Sequence, residues 1–364
     1  MQSTIPSNKS ALTFCKIDNR ADNSDLIKYV AQVLGETNSH KATIMTNEFW
    51  KWQHLLLPGG EACVYKSMYE NKIAGYYHVP VYPSLINGEA AKFAMIQDVA
   101  VNSEIRGQGV FRQLATFANS DLDIMDFDAI YTFPNTKSKH TFIKYNGFTH
   151  LHTFTAYMLP VNVGLIAKAK TKIPFLFETL FAPINWMLGP RKKSDYSFTE
   201  INKFDIDVVK LYNEYCGAYK FYAHRTAEYL NWRFLQRPSS KYFCFAAKTN
   251  NALKAIAFFK IDVMMDVPVL LLIDYAHNDE RAFSQLVNYV SANALKLCGS
   301  KIAFTFTSVC DKNFDAQKPQ GFIKVPEKVN PRLLNLLIRP LKYKQQDIFD
   351  ANNWFVTLAD WDVF

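Results

Sequence analysis

The residues from Asp98 to Phe111, DVAVNSEIRGQGVF, join a carboxylate, an apolar strand and a glycine-rich turn that opens a helix. A strand that stops at such a turn aims several backbone N–H groups at one point, and glycine lets the backbone approach a ligand closely. An anionic group suits that point, a pyrophosphate above all. A second stretch, FPNTKSKHTFIKYNGF from Phe133 to Phe148, ends a strand near Asn135, continues as a helical span and closes at Gly147-Phe148. Asn135 with Ser138 also suits a helix cap, so residue type leaves the pair open as a cap, a ligand contact or both.

Asp98 is the carboxylate best placed to act as a base, just ahead of the turn. The same residue could instead serve a structural hydrogen bond, and His78 and His140 are further candidates, each equally readable as a packing or surface histidine. The six cysteines form no C-x-x-C and no metal-ligand spacing. They read as buried thiols in a reducing cytoplasm, with no metal centre.

The elements that must carry these residues follow from pattern. Phe93–Val101 is nearly all apolar, as a central strand is. After the turn, Val110, Leu114, Phe117 and Ala118 fall on one helical face. The chain also repeats itself. Phe49–Pro58 is echoed by Tyr229–Pro238, with Trp52 and Trp232 180 positions apart. The hairpin around Glu70-Asn71-Lys72 is echoed around Thr249-Asn250-Asn251, Asp98 by Asp274, and Gly147-Phe148 by Gly321-Phe322. Matches that recur in the same order indicate a duplication. The copies differ after the aspartate: where the first has Arg-Gly-Gln-Gly, the second has HNDERAFSQL without glycine, so its turn is not suited to a phosphate. The expected domains are 1–160, a helical connector at 161–200, and 201–364. Within the connector, 163–191 mixes an apolar face with lysines, which suits packing on a domain or peripheral contact with a membrane. Trp354–Leu358 is expected to be a strand closing the second sheet.

The charge of +8 is spread out, with no basic run beyond Arg191-Lys192-Lys193, so a nucleic-acid partner is not expected. A local positive site for a polyanionic cofactor uses such a balance equally well. No apolar run is long enough for a spanning helix, and the first ten residues carry no secretory signal.

Taken together, the two motif stretches resemble the acyl-CoA-binding core of the GCN5-related N-acetyltransferase (GNAT) superfamily, over about residues 20–160. The R-G-x-G-V-F and F-P-N-x-x-S runs are similar to those of a bacterial subgroup. The resemblance implies an α/β fold of two tandem GNAT-like domains, each a mixed, mostly antiparallel sheet flanked by helices, the second degenerate. It implies acetyl-CoA as co-substrate, with main-chain contacts to the pantetheine from Val99 and Val101, one of them polarising the thioester. The diphosphate would lie on Arg106, Gly107, Gln108, Gly109, Val110 and Phe111, with Asn135 and Ser138 facing the cofactor. Phe111 departs from the small residue usual at its position. Ile143 stands where the family often has a tyrosine acid, so no acid is assigned. The implied activity is a cytoplasmic N-acetyltransferase acting on a small polar amine such as an amino sugar. Aminoacyl or longer-chain acyl transfer, and a non-catalytic acyl-CoA-binding regulator, are the alternatives.

Overall fold

The structure, a computed structural model, describes residues 12–36, 43–162, 164–165, 194–330 and 333–361. Residues 163 and 166–193, on which most of the expected connector and its amphipathic segment fall, lie outside the described residues. Among the described residues no helix is long and apolar enough to cross a membrane. The chain forms two units, Met1–Pro83 with Lys92–His150 and Leu337–Lys344, and Ser84–Ala91 with Leu151–Leu336 and Gln345–Phe364. Neither unit is one continuous stretch of chain.

In the first unit β1 (Thr13–Lys16) pairs antiparallel with β2 (Cys63–Tyr69), and β2 with β3 (Lys72–Val79). The β2–β3 turn is made by Glu70 and Asn71, both at positive φ (48° and 60°), the two-residue geometry whose twist matches the strands. β4 (Val81–Ile86) leads into β5 (Glu89–Val101), which pairs antiparallel with β3 and parallel with β6 (Ala129–Thr132). The strand Asn335–Pro340 lies antiparallel on β6 and also pairs with β7 (Thr149–Thr153). The helices α1 (Ser24–Gly35) and α2 (Asn47–His54) precede β2. On the other side of the turn, α3 (Val110–Leu122) buries Val110, Leu114, Ala115, Ala118 and Leu122, the face its spacing predicts. Its inner residues pack on Tyr65, Tyr77, Ala94, Ile96 and Ile130. Each large side chain sequestered there contributes about 1.5–3 kcal/mol. Phe117, on the rim, stacks on Phe14 with ring centres 5.7 Å apart. The helix α4 (Thr136–Asn146) runs from the Asn135 cap to Gly147.

The second unit repeats this plan. Its sheet runs in the order β15 (Ile323–Val325), β8 (Thr155–Pro160), β14 (Phe304–Val309), β13 (Val267–His277), β12 (Ala252–Met264), β11 (Phe243–Thr249) and β9 (Ser197–Glu200). The β11–β12 turn again places two residues at positive φ, Asn250 and Asn251. Both hairpins carry a register shift at the same point, after Ser67 and after Ala247. β13 and β14 are parallel, as β5 and β6 are. Flanking helices include α5 (Ile206–Cys216) and α6 (Glu280–Ala292). The short strand β10 (Phe221–Ala223) pairs antiparallel with Ser84–Ile86 of β4 and parallel with β16 (Trp354–Phe355). The C-terminal strand is thus two residues long, and its partner is β10 rather than the seven-stranded sheet; Val356 then bridges to Cys310.

The two copies exchange a strand. β8, which follows the first copy's motifs, sits between β14 and β15 of the second unit. In return, Asn335–Pro340, from the second copy, sits against β6 and β7.

Candidate functional site

β5 is where the first unit departs from a regular sheet. Gly75 faces Val101 and Tyr76 faces Ala100, but His78 faces Gln97, so Asp98 and Val99 together oppose the single residue Tyr77. This is a β-bulge, and Asp98 sits in it at φ 47°, a left-handed conformation that a non-glycine residue adopts at a cost. On the other edge, parallel pairing with β6 ends at Ile96–Thr132. The Thr132 hydroxyl donates to the Ile96 carbonyl at 2.9 Å, and beyond it β5 runs on to Val101 without β6 beside it. Val99 and Val101, both half-buried, lie on this parting strand.

The turn that follows is held by Arg106. Its Nε donates to the Val101 carbonyl at 3.1 Å, and its guanidinium pairs with Glu36 at 2.7 Å, which also accepts from Ser103. Gly107 and Gly109 have φ of 86° and 79°; a Cβ on Gly107 would meet nothing, and one on Gly109 only the Gln113 amide at 3.8 Å. Glycine is needed here for the backbone, and the space beside it is open. Gly109 is the N-cap of α3, and no side chain caps the helix. The first intrahelical bond is from Gln113 to the Gly109 carbonyl, so the N–H groups of Val110, Phe111 and Arg112 open the helix without a helical acceptor. Gln108 is exposed at the turn. Phe111 packs edge-on against Phe142 at 5.5 Å, so the bulky residue fills the seam between α3 and α4 instead of blocking the turn. Beside the first turns of α3 is an open groove lined by Phe14, Arg112, Gln113, Thr116, Phe117 and Tyr145. Arg112 and Lys144 lie over the Tyr145 ring at 5.7 and 5.2 Å, which gathers positive charge next to the helix start.

Asn135 Oδ1 accepts from the Ser138 N–H (3.0 Å) and hydroxyl (3.1 Å), so the pair caps α4. His140 is exposed on the same helix. His78 is buried on β3, its ring 4.2 Å from that of His54 and its Nδ1 3.4 Å from the Gln97 amide. The Tyr76 hydroxyl is 2.8 Å from His54 Nε2. Gln53, which sequence reading did not single out, donates to Asp98 Oδ2 at 3.0 Å. Its one signal in the sequence is the repeat, which sets it opposite Arg233, a place where the copies differ in charge.

An apolar parallel pair that parts beside a glycine-turned, uncapped helix suits an extended ligand with a phosphate. Residues 19–148 match the acetyltransferase (GNAT) domain family. This part of the chain is a GNAT domain. Solved structures extend the likeness in fold beyond the GNAT domain. A GCN5-related N-acetyltransferase from Anabaena variabilis is similar over 90% of this chain and 73% of its own, at 13% identity and TM-score 0.60. The N-myristoyltransferase of Saccharomyces cerevisiae, solved with bound myristoyl-CoA, is similar over 93% of this chain and 84% of its own, at 14% identity and TM-score 0.59. No curated protein matches the sequence.

The second unit keeps the frame of the GNAT domain and closes its opening. β13–β14 pairing ends at Leu271–Phe306, and Thr307 donates to the Leu272 carbonyl as Thr132 does to Ile96. Beyond that point the chain's own C-terminal segment touches both strands: Val356 bonds the Cys310 backbone, and the Thr357 hydroxyl donates to Asp274 at 2.9 Å. Asp274 is fully buried and ion-paired with Arg225 at 3.1 Å, and Arg225 also holds Asp360. Burial pushes the Asp274 carboxyl above the usual carboxylate range, against the pull of Arg225. The start of α6 is capped by Asp279, which accepts from the Ala282 N–H at 3.0 Å. A carboxylate stands where the first unit leaves bare N–H groups, and it would repel a phosphate.

Proposed function

We propose that this chain is an acyl-CoA-dependent N-acyltransferase that moves the acetyl group of acetyl-CoA to an amine of a small polar acceptor, with both substrates bound together. The observation that carries the reading is the junction of the parted β5–β6 pair with the uncapped α3 N-terminus. The N–H groups at the turn Gly107–Phe111 receive the diphosphate, helped by the helix dipole, and Arg106 holds the turn to β5. Main-chain groups of Val99 and Val101 pair with the pantetheine arm, and one N–H polarises the thioester carbonyl. Asn135 and Ser138 cap α4 and face the same arm. The thioester supplies an activated acyl group. Asp98 takes the proton from the acceptor's ammonium; the amine nitrogen then bonds the carbonyl carbon, the C–S bond breaks, and the second proton that the nitrogen loses passes through water to the leaving thiolate. A CoA thiol, with a pKa near 8.5 as for Cys, leaves without a dedicated acid. Holding the reactants together contributes most of the rate. An amino sugar is the acceptor class the bacterial resemblance suggests.

The second unit binds no acyl-CoA in this reading, because Asp279 and the 356–360 segment take the places the diphosphate and arm would need. One chain therefore holds one donor molecule. The cytoplasm supplies acetyl-CoA and keeps the six thiols, all free among the described residues, reduced. A longer acyl donor is the second reading, supported by the fold shared with an N-myristoyltransferase. Thiol release from acetyl-, octanoyl- and myristoyl-CoA, with glucosamine, spermidine and a short peptide as amines, tests both. Release from acetyl-CoA with one amine supports acetyl transfer, and release only from longer donors replaces it. Tight binding of acetyl-CoA without any release would make the chain a non-catalytic acyl-CoA binder.

A further inference from the structure

The groove beside the first turns of α3 differs between the copies in a way the frame around it does not. Its apolar floor recurs. Phe14 lies opposite Ser67 and Phe198 opposite Ala247, the residues after which the two hairpins shift register. Each stacks on a ring from the following helix, Phe14 on Phe117 at 5.7 Å and Phe198 on Tyr289 at 4.7 Å. That match aligns the sequence of α3 with that of α6, and the remaining lining then diverges. Arg112, five residues before Phe117, has Ser284 as its counterpart; Tyr145, two before Gly147, has Pro319. In the second unit the Ser284 hydroxyl accepts from the Gln320 N–H at 2.9 Å, and Lys318, the counterpart of Lys144, is paired with Asp315 at 2.8 Å. In the first unit Arg112, Lys144 and Tyr145 are exposed, and the two cations lie over the tyrosine ring. Among the described residues neither cation is ion-paired.

The groove starts at the turn itself. Gln113, in its lining, has its amide 3.8 Å from the place a Cβ on Gly109 would take, and Arg112 supplies both a free N–H at the helix start and a side chain in the lining. The volume is about 340 Å³, the size of a small-ligand site, and the lining includes Phe14, Phe117 and Tyr145 but no carboxylate. Aromatic surface takes the face of a planar base, and an exposed cation held only by a ring is readily turned onto a phosphate. We propose that this groove seats the 3′-phosphorylated adenosine of CoA, with the purine on the aromatic lining at Tyr145 and the 3′-phosphate on Arg112 and Lys144, so that the chain selects its donor by that phosphate. The inference rests on acyl-CoA binding at the α3 turn. The matching surface of the second unit, a hydroxyl already bonded and a lysine already neutralised, offers such a phosphate no charge.

The test is calorimetric titration of the full chain with acetyl-CoA and with 3′-dephospho-acetyl-CoA. Wild type should bind acetyl-CoA about 10-fold more tightly or better, the worth of a charge-assisted contact. In the double variant Arg112→Gln, Lys144→Gln that preference should fall below about threefold, through loss of acetyl-CoA affinity and not through gain by the dephospho form. Tyr145→Ala should weaken both donors alike, about 10-fold, and leave their ratio unchanged, as loss of a stacked base does. All three side chains are exposed, so the fold tolerates their replacement. A preference that persists in the double variant, or a Tyr145→Ala that binds both donors as wild type does, overturns the assignment. A wild type that binds the two donors equally overturns the groove and leaves acyl-CoA binding at the turn in place. A wild type that binds neither removes the acyl-CoA reading and this proposal together.

Discussion

Replacing Gly109 probes the turn at the point where fold and ligand make different demands. At φ 79° an alanine pays the left-handed backbone cost of about 1–2 kcal/mol, and no steric cost adds to it because the nearest atom to its Cβ would be 3.8 Å away. For a unit of this size that lowers Tm by about 2–8 °C. Binding should suffer more. The added methyl occupies the open space beside the three free N–H groups, and displacing the phosphate from one charge-assisted bond costs about 1.5–3 kcal/mol, or about 10- to 150-fold in Kd. Asparagine tolerates the left-handed conformation better, so Gly109→Asn separates the two effects: it should recover stability and leave binding weak. Calorimetric titration of acetyl-CoA and thermal melts of wild type, Gly109→Ala and Gly109→Asn give both numbers. An acetyl-CoA Kd that stays within about twofold of wild type in both variants, against the expected loss of a phosphate bond, would refute the placement of the diphosphate at this turn.

Two further predictions concern the second unit. Burial pushes the His277 imidazole down to about 4 between Tyr215 and Phe283. The unfolded chain takes up that proton from about pH 6.5 downwards and the folded chain only near pH 4. The contribution, about 3 kcal/mol, is therefore complete above pH 6.5 and lost as pH falls towards 4. Urea midpoints at pH 7 and 4.5 should converge in His277→Phe, and an unchanged gap would exclude His277 as the cause. Arg225→Met leaves Asp274 and Asp360 buried without their cation, which should cost about 3–5 kcal/mol in a denaturant titration. A loss below about 1 kcal/mol would mean that the ion pair is not what holds the C-terminal segment.

What was legible in the sequence is what short-range chemistry determines. Gly107 and Gly109 announce their turn because so few residues accept positive φ, and the apolar run before them and the period of Val110, Leu114 and Ala118 announce strand and helix. Asn71 and Asn250-Asn251 mark hairpins for the same reason. The Gln53–Asp98 bond joins residues 45 positions apart through a bulge, and no local pattern encodes it. The length and partner of Trp354–Phe355 were equally out of reach, since a short strand is defined by what it pairs with. The capping of α6 by Asp279 was closer to hand, because an aspartate ahead of a helical span is itself a signal.

The exchange of strands between the copies has a consequence for synthesis. Ala129–Thr132 is translated first, and its neighbour, Leu337–Pro340, leaves the ribosome only long after it. Until then the first sheet presents an unsatisfied edge, and β8 has no sheet to join. A duplicated gene usually gives halves that can mature one after the other; here the first half must wait for the second. The long closure slows folding and lengthens exposure to aggregation. Cutting the chain within 166–193 should therefore yield two fragments that are insoluble when made singly and that rescue each other when co-expressed. A soluble, cooperatively melting N-terminal fragment would show that the borrowed strand is dispensable.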